Sequence, residues 1–153
     1  DKAIKCAEES LEMFENLGDI FGKAMMYYSF ADIYTRKRKL EKALNYTDKS
    51  MNLFREVNYE PGLGGVYEIL GRIHRFEREY KKSEDQFRKS IEIFEKYNMT
   101  NELAGTQFQL GLLYREMGQM EKAKIQFENS LKNYERLQIQ QKIEKIQKII
   151  NEL

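Results

Sequence analysis

The fold is decided by a stretch that recurs four times along the chain: KAIKCAEESLEMF (2–14), KALNYTDKSMNLF (42–54), KSEDQFRKSIEIF (82–94) and KAKIQFENSLKNY (122–134). The copies begin 40 residues apart and share a lysine first, a small residue second, a serine ninth and an aromatic residue last. Agreement at four positions in four copies indicates a tandem repeat and not chance.

A second unit with the same period lies between these copies: Phe30-Ala31-x-x-Tyr34, Leu70-Gly71-x-x-His74 and Leu110-Gly111-x-x-Tyr114. In both units apolar or small residues recur at intervals of three and four, which is typical of an amphipathic helix. The pattern therefore predicts two helices per repeat and no strands. The predicted helices are 2–16, 21–36, 40–56, 61–76, 80–96, 101–116, 120–136 and 140–152.

Turn residues support these boundaries at most of the junctions. Gly18, Asn58 and Asn98 occupy equivalent places, and these residue types tolerate the left-handed conformation that follows a helix. Pro61 falls in a first turn, where no backbone N–H is needed. No glycine, asparagine or proline lies near Gln138, so two alternatives stay open at the junction between residues 136 and 140. Either the chain turns, or the helix from 120 continues and its stripe of Ile143, Ile146, Ile149 and Ile150 is covered by a partner or a second copy.

The two units resemble the tetratricopeptide repeat, whose signature pairs Leu-Gly-x-x-Tyr in one helix with Ala-x-x-x-Phe in the next. The third copy fits best, with Leu110-Gly111-x-x-Tyr114 and Ala123-x-x-x-Phe127. The resemblance implies an all-α, right-handed α-solenoid of antiparallel helix pairs with about eight helices. The 40-residue period resembles a longer-repeat subgroup, because the usual period is 34 and no proline closes the second helix. HEAT and armadillo repeats have similar periods but lack these residue pairs.

The same alignment divides the chain into repeats of one domain, 1–153. We expect a half repeat at 2–16, full repeats at 21–56, 61–96 and 101–136, and a capping helix at 140–152. The half repeat and the absence of an initiator methionine lead us to expect further repeats upstream in a longer protein. The capping helix is expected to expose Lys142, Lys145, Lys148 and Glu152.

Composition limits the function classes. The chain has 26 Lys plus Arg against 25 Asp plus Glu, so no basic surface predicts nucleic-acid binding. The longest apolar stretch, 24–31, is much shorter than the roughly 20 residues of a membrane-spanning helix. The single Cys6 cannot form an internal disulfide, which favours a reducing compartment, and we expect a cytoplasmic protein.

No set of residues indicates catalysis, a cofactor or a metal site. His74 is the only histidine and occupies the packing position of Tyr34 and Tyr114, so we interpret it as structural. Cys6 has no histidine at a helical spacing, and Glu8, Glu9 and Glu12 fit a solvated helix face. The glycines of 62–65 lack the Lys-Ser/Thr of a phosphate loop. Residues 36–39, Arg-Lys-Arg-Lys, are interpreted as a solvated turn.

In the first helix, Tyr27, Phe30, Ala31 and Tyr34 are expected to pack against neighbouring helices. Binding is expected on the remaining face of the first helices, because solenoids present that face as a concave surface. Family ligand-lining residues fall on the same stripe, although long helices could bury part of it. The predicted partner-binding residues are Tyr28, Ser29, Asp32, Arg36, Glu68, Ile69, Arg72, Arg75, Phe76, Phe108, Gln109, Leu112 and Arg115.

These residues mix apolar groups with arginines, a composition typical of interaction hot spots. The expected function is a non-enzymatic scaffold that binds a protein or peptide segment carrying acidic and apolar residues. Because none of these positions is Lys or Asn, capture of a peptide's terminal carboxylate by those residues is disfavoured. The alternative is a sensor segment of a larger signalling or transcription-regulating protein.

Overall fold

The computed structural model describes the backbone of residues 2–153 and the side chains from Glu9 onward. Within this range the chain forms eight α-helices and no strands, arranged as a right-handed solenoid of antiparallel pairs. Each helix packs on the one before it, and the first helices of successive pairs also lie side by side. The helices are α1 (Lys2–Leu17), α2 (Ile20–Arg36), α3 (Leu40–Glu56), α4 (Glu60–Phe76), α5 (Tyr80–Lys96), α6 (Thr100–Glu116), α7 (Met120–Arg136) and α8 (Gln140–Asn151).

All eight helices begin and end within one residue of the positions predicted from the sequence. The Asp19 side chain caps α2 by accepting a hydrogen bond from the Gly22 amide at 2.8 Å. Pro61 stands in the first turn of α4, where its missing N–H has no partner to lose. Asp19 and Pro61 therefore stand at helix starts because each suits the unpaired backbone N–H groups there.

The tight turns share one backbone form, in which a single residue adopts positive φ. Gly18, Asn58 and Asn98 do so as predicted, and Gln138 does so at φ 56°. The Gln138 amide donates to the Glu135 carbonyl at 3.0 Å, and the next amide donates to the Tyr134 carbonyl at 3.1 Å. These bonds satisfy the carbonyls at the helix end and offset the strain of a side chain at positive φ. The alternative of one unbroken helix through Gln138 is therefore wrong.

The turn directs α8 back onto the solenoid. Ile146 is fully buried, and Ile143, Ile149 and Ile150 pack against the same core cluster as Phe127. The isoleucine stripe is thus covered within the chain. The prediction of a homodimer through α8 depended on this stripe being uncovered. The packing of the stripe within the chain removes the reason for that prediction.

Paired helices approach most closely at glycines. A Cβ atom on Gly71 would lie 2.6 Å from the Phe87 ring, and one on Gly111 would lie 2.7 Å from the Phe127 ring. Both rings are completely buried and cannot move aside. The equivalent pair in the first repeat is Ala31 with Thr47, where the smaller partner leaves room for a methyl group.

Buried serines join the paired helices by hydrogen bonds across the same close approach. Ser50 donates to the Ala24 carbonyl at 3.0 Å, and Ser130 donates to the Ala104 carbonyl at 2.7 Å. Ser83 donates in the same way to the Gly71 carbonyl at 2.7 Å. A small side chain with a donor keeps the helices close without leaving a buried polar group unpaired.

No helix in the described part of the chain is long and apolar enough to cross a membrane.

The glycine contacts give a matched pair of stability predictions. We expect Gly111→Ala to lower the free energy of unfolding by about 1–3 kcal/mol, because the new methyl group overlaps the immobile Phe127 ring. Gly105→Ala on the same helix meets its nearest atom, the Tyr134 hydroxyl, at 3.6 Å and should gain about 1 kcal/mol from helix propensity. Urea unfolding of both variants measures the difference, and equal effects would contradict the packing account.

Candidate partner-binding cleft

The first helices enclose a cleft of about 520 Å³ on the concave side of the solenoid. Residues of α2, α4 and α6 line most of the cleft, and residues of α8 line one end of it. Phe94 of α5 and Tyr134 of α7 reach the cleft between the first helices. Glycines at 65 and 105 leave room for neighbouring rings, because Tyr28 lies over Gly65 and Tyr134 over Gly105.

A buried ion-pair network forms the floor of the cleft between α2 and α4. Arg72 Nη1 donates to Asp32 Oδ1 at 2.6 Å and lies 3.7 Å from Glu68 Oε1. Asp32 also pairs through its second oxygen with Arg36 Nε at 2.8 Å. Arg36 keeps 71% of its side-chain exposure, whereas Arg72 keeps only 11%. The charge of Arg72 is therefore already neutralised within the protein.

Burial also changes the ionisation of this floor. Desolvation raises the pKa of the Glu68 carboxyl despite the nearby Arg72 guanidinium, which acts in the opposite direction. Desolvation likewise raises the pKa of the Tyr28 hydroxyl, with added repulsion from Glu68 and Asp32. Tyr28 is therefore a neutral hydrogen-bonding group at physiological pH.

Arg75 lies outside the cleft, at the contact between α4 and α6. Its Nη1 donates to Gln109 Oε1 at 3.0 Å, and its Nε lies 3.6 Å from Glu116 Oε1. The guanidinium also faces the Phe76 ring at 5.3 Å. Arg75 thus links two first helices and is not available as a free cation.

The exposed cations of the cleft that lack a carboxylate partner come from α8. Lys142 and Lys145 line it beside Ile146, and Lys145 Nζ lies 5.0 Å from the centre of the Phe108 ring. Neither lysine forms an ion pair with the side chains that the structure describes. Asn101 of α6 also lines the cleft. The argument against carboxylate capture considered only the predicted positions on the first helices, and it did not include these residues of α8 and of the start of α6.

A smaller apolar hollow of about 140 Å³ continues from the cleft toward the starts of α4 and α6. Met25, Phe54, Pro61 and Met99 line it, and it shares Tyr28, Gly65, Phe94 and Glu102 with the lining of the cleft. An apolar cavity of about 150 Å³ is large enough to hold benzene. The hollow therefore has room for one large apolar side chain of a ligand.

The structure brings together seven of the thirteen residues predicted to bind a partner. The cleft is lined by Tyr28, Asp32, Arg36, Glu68, Arg72, Phe108 and Gln109, while Ser29, Ile69, Arg75, Phe76, Leu112 and Arg115 lie outside its lining.

Among the remaining six residues, the structure corrects the prediction for Ile69. This side chain is fully buried in the core with Phe30 and Ile73 and cannot contact a partner. Its position on the stripe was right, but the neighbouring first helix covers it. Sequence reasoning missed Asn101, Glu102, Lys142 and Lys145. The 40-residue period aligns Lys142 with Glu102 and Lys145 with Gly105. This alignment was the feature of the sequence that placed the two lysines on the same face as the cleft residues of α6.

Of the two residues considered for chemistry, His74 lies outside the lining of the cleft. His74 occupies the expected position in α4, but it also faces Glu77 and Glu79 across the following turn. The Cys6 side chain falls outside the described side chains.

The pKa of Glu68 gives a pH-dependent prediction. An acid whose pKa is higher in the folded state costs stability when ionised, and this cost disappears as pH falls below the unfolded value of 4.5. We therefore expect Glu68→Gln to raise the free energy of unfolding at pH 7 and to change it little at pH 3.5. Urea unfolding at both pH values tests this, with the exposed Glu102→Gln as the control. A Glu68→Gln variant less stable than the parent at pH 7 would show that its pairing with Arg72 outweighs desolvation.

Comparison with solved structures shows the same fold. BtubC (BKLC) from P. vanneervenii superposes with a TM-score of 0.75 at 16% identity, over 94% of this chain and 61% of that one. The apo form of RapI gives 0.72 at 22% identity, over 89% of this chain and 50% of that one. The N-terminal domain of stress-induced protein-1 (STI-1) from C. elegans gives 0.60 at 14%, over 84% and 98%. The chain thus spans less than two thirds of the first two proteins.

No curated protein sequence matches this one significantly. A family model described as tetratricopeptide repeat matches residues 22–96 and 62–136, two overlapping segments that together cover most of the chain. With the Leu-Gly-x-x-Tyr and Ala-x-x-x-Phe packing positions already located in the helix pairs, this chain belongs to the tetratricopeptide repeat family.

Proposed function

We propose that the cleft binds a segment of another protein that carries an acidic residue close to a large apolar one. The family and the fold support a protein-interaction scaffold, and one observation carries the finer proposal. Two lysines without ion-pair partners and an apolar hollow open into the same cleft. A ligand that reaches both would gain charge pairing and apolar burial together.

The charge pattern of the cleft selects the part of the ligand that binds at each end. Asp32 and Glu68 are held by Arg72, so the middle of the cleft has little net attraction for an acid. Lys142 and Lys145 line the α8 end without a carboxylate partner among the described side chains. An acidic side chain is therefore expected beside α8, in place of a pairing with the arginines of the predicted stripe, Arg36, Arg72, Arg75 and Arg115.

The apolar hollow supplies the second anchor. Met25 and Met99 line it, and methionine side chains adapt readily to ligands of different shape. Aromatic and large aliphatic side chains contribute most to binding when they fill such pockets. The proposed segment therefore places a Phe, Leu or Met in the hollow and its acidic group toward the lysines.

We also propose that the chain acts by binding and not by catalysis. Among the side chains that the structure describes, no histidine or cysteine lines the cleft, and its Asp32–Arg72 pair serves to hold α2 against α4. Localisation in the cytoplasm stays a prediction.

A charge reversal on α8 tests the proposal. Segments selected from a displayed peptide library would be titrated by fluorescence anisotropy against the parent protein, Lys145→Glu and Lys148→Glu. We expect Lys145→Glu to weaken binding of acidic-apolar peptides at least tenfold, because it repels the acidic side chain at close range. Lys148→Glu makes the same change on the same helix outside the cleft and should stay within about twofold.

The opposite outcome is equally clear. Selected peptides that lack acidic residues, or equal losses from the two variants, would exclude this mode of binding. Circular dichroism of both variants distinguishes lost binding from lost folding, and both lysines are exposed, so the helix should persist.

A further inference from the structure

The turn between α4 and α5 brings three potential metal ligands together, well separated in the fold from the cleft lining. His74 lies in the last turn of α4, and Glu77 and Glu79 follow in the turn. His74 Nδ1 lies 2.9 Å from Glu79 Oε2 and 3.3 Å from Glu77 Oε2. The three ligand atoms all lie within 4.8 Å of one another. Tetrahedral zinc, with bonds of about 2.0–2.2 Å, holds its nitrogen and oxygen ligands roughly 3.3 Å apart.

The buried His74 Nδ1 faces two carboxylate oxygens at ion-pair distance. The contact with Glu79 also lies within hydrogen-bonding distance. An imidazole nitrogen close to two carboxylates has in addition the arrangement of ligands that converge on a shared cation. A cation bound here would pair with all three groups at once.

The backbone fixes the three ligands relative to one another. The Glu79 amide donates to the His74 carbonyl at 2.9 Å, and the Glu77 amide donates to the Ile73 carbonyl at 3.0 Å. These bonds hold both ends of the turn against the end of α4. The carboxyl end of a helix also favours a positive charge, because its carbonyl dipoles point toward it. The site is thus rigid and has a favourable local potential for a cation.

The repeat fold does not require these ligands. The residues equivalent to His74, Glu77 and Glu79 are Tyr34, Lys37 and Lys39 in the first full repeat, and Tyr114, Met117 and Gln119 in the third. Both sets form the same turn without a histidine or a carboxylate. The second repeat therefore departs from its neighbours at all three of the positions that converge.

Glu79 has a second interaction that suits a ligand. Lys82 Nζ donates to Glu79 Oε1 at 2.8 Å, which leaves Oε2 directed toward His74. Carboxylate ligands in metal sites are commonly held by such an outer hydrogen bond.

We propose that His74, Glu77 and Glu79 bind a divalent first-row transition-metal ion, with Zn²⁺ as the best match, and that the ion ties the α4–α5 turn together. The imidazole nitrogen favours zinc over calcium and magnesium, which prefer oxygen ligands alone. Three protein ligands leave one position for water. This site is independent of partner binding in the cleft.

Titration calorimetry with ZnCl₂ tests the site, in a Cys6→Ser background that removes the only thiol. We expect one Zn²⁺ per chain, and at least a tenfold loss of affinity in both His74→Tyr and Glu79→Gln. His74→Tyr restores the residue of the other repeats, and Glu79→Gln restores the residue of the third, so both should fold. Glu121→Gln, an exposed acid at the start of α7, should leave the affinity unchanged.

Spectroscopy with Co²⁺ provides a second readout, because a tetrahedral nitrogen and oxygen site gives visible absorption that the His74→Tyr variant should lose. The proposal is overturned if the Cys6→Ser protein binds no Zn²⁺, or if His74→Tyr and Glu79→Gln bind it as tightly as their parent. Should one variant fail to fold by circular dichroism, the other decides the result.

Discussion

The close approach of paired helices at Gly71 and Gly111 is the constraint on which the other features depend. A phenylalanine from the facing helix occupies the space of the missing side chain, and no Cβ atom would fit there. This contact sets the distance within each pair and so the position of α2, α4 and α6 beside one another. The first repeat reaches the same geometry with Ala31 and Thr47, while Tyr46 stacks on Phe30 and Tyr34 to fill the remaining space.

The concave surface that results has an uneven distribution of available charge. Arg72 is neutralised by Asp32 and Glu68, and Arg75 is held by Gln109 and Glu116, so these arginines stabilise contacts between first helices. Removing Asp32, which accepts a hydrogen bond from Arg72, would leave a buried charge behind, which costs more than the pair itself contributes. The capping helix α8 therefore provides both the cover for the last core cluster, through Ile146, and the lysines that face the cleft.

The sequence alone was sufficient to predict the helices, because the 40-residue period aligns each packing position with two or three others. It was less informative at Gln138, where backbone hydrogen bonds and the packing of Ile139 replace the expected glycine or asparagine. Seven of the thirteen residues predicted on the first-helix stripe line the cleft, and the sequence pattern does not show which members of a stripe a neighbouring helix covers. Ile69 and Arg72 occupy similar positions, and only their contacts reveal that Ile69 belongs to the core and Arg72 to the floor of the cleft.

The lysines of α8 were missed because they were interpreted as the exposed face of a terminal helix. His74 was assigned to packing because it occupies the position of Tyr34 and Tyr114, and its two carboxylate neighbours have no counterpart in the other repeats.

The central claim is that the repeats hold open a cleft in which a segment of a partner lies between the apolar hollow and α8. Amide chemical-shift mapping with a bound acidic-apolar peptide measures this directly. The account predicts that the largest shifts fall on Gly65, Gly105, Thr106 and Ile146, which line the cleft on three different helices. Shifts concentrated on the outer faces of α3, α5 and α7, with these four residues unchanged, would contradict it.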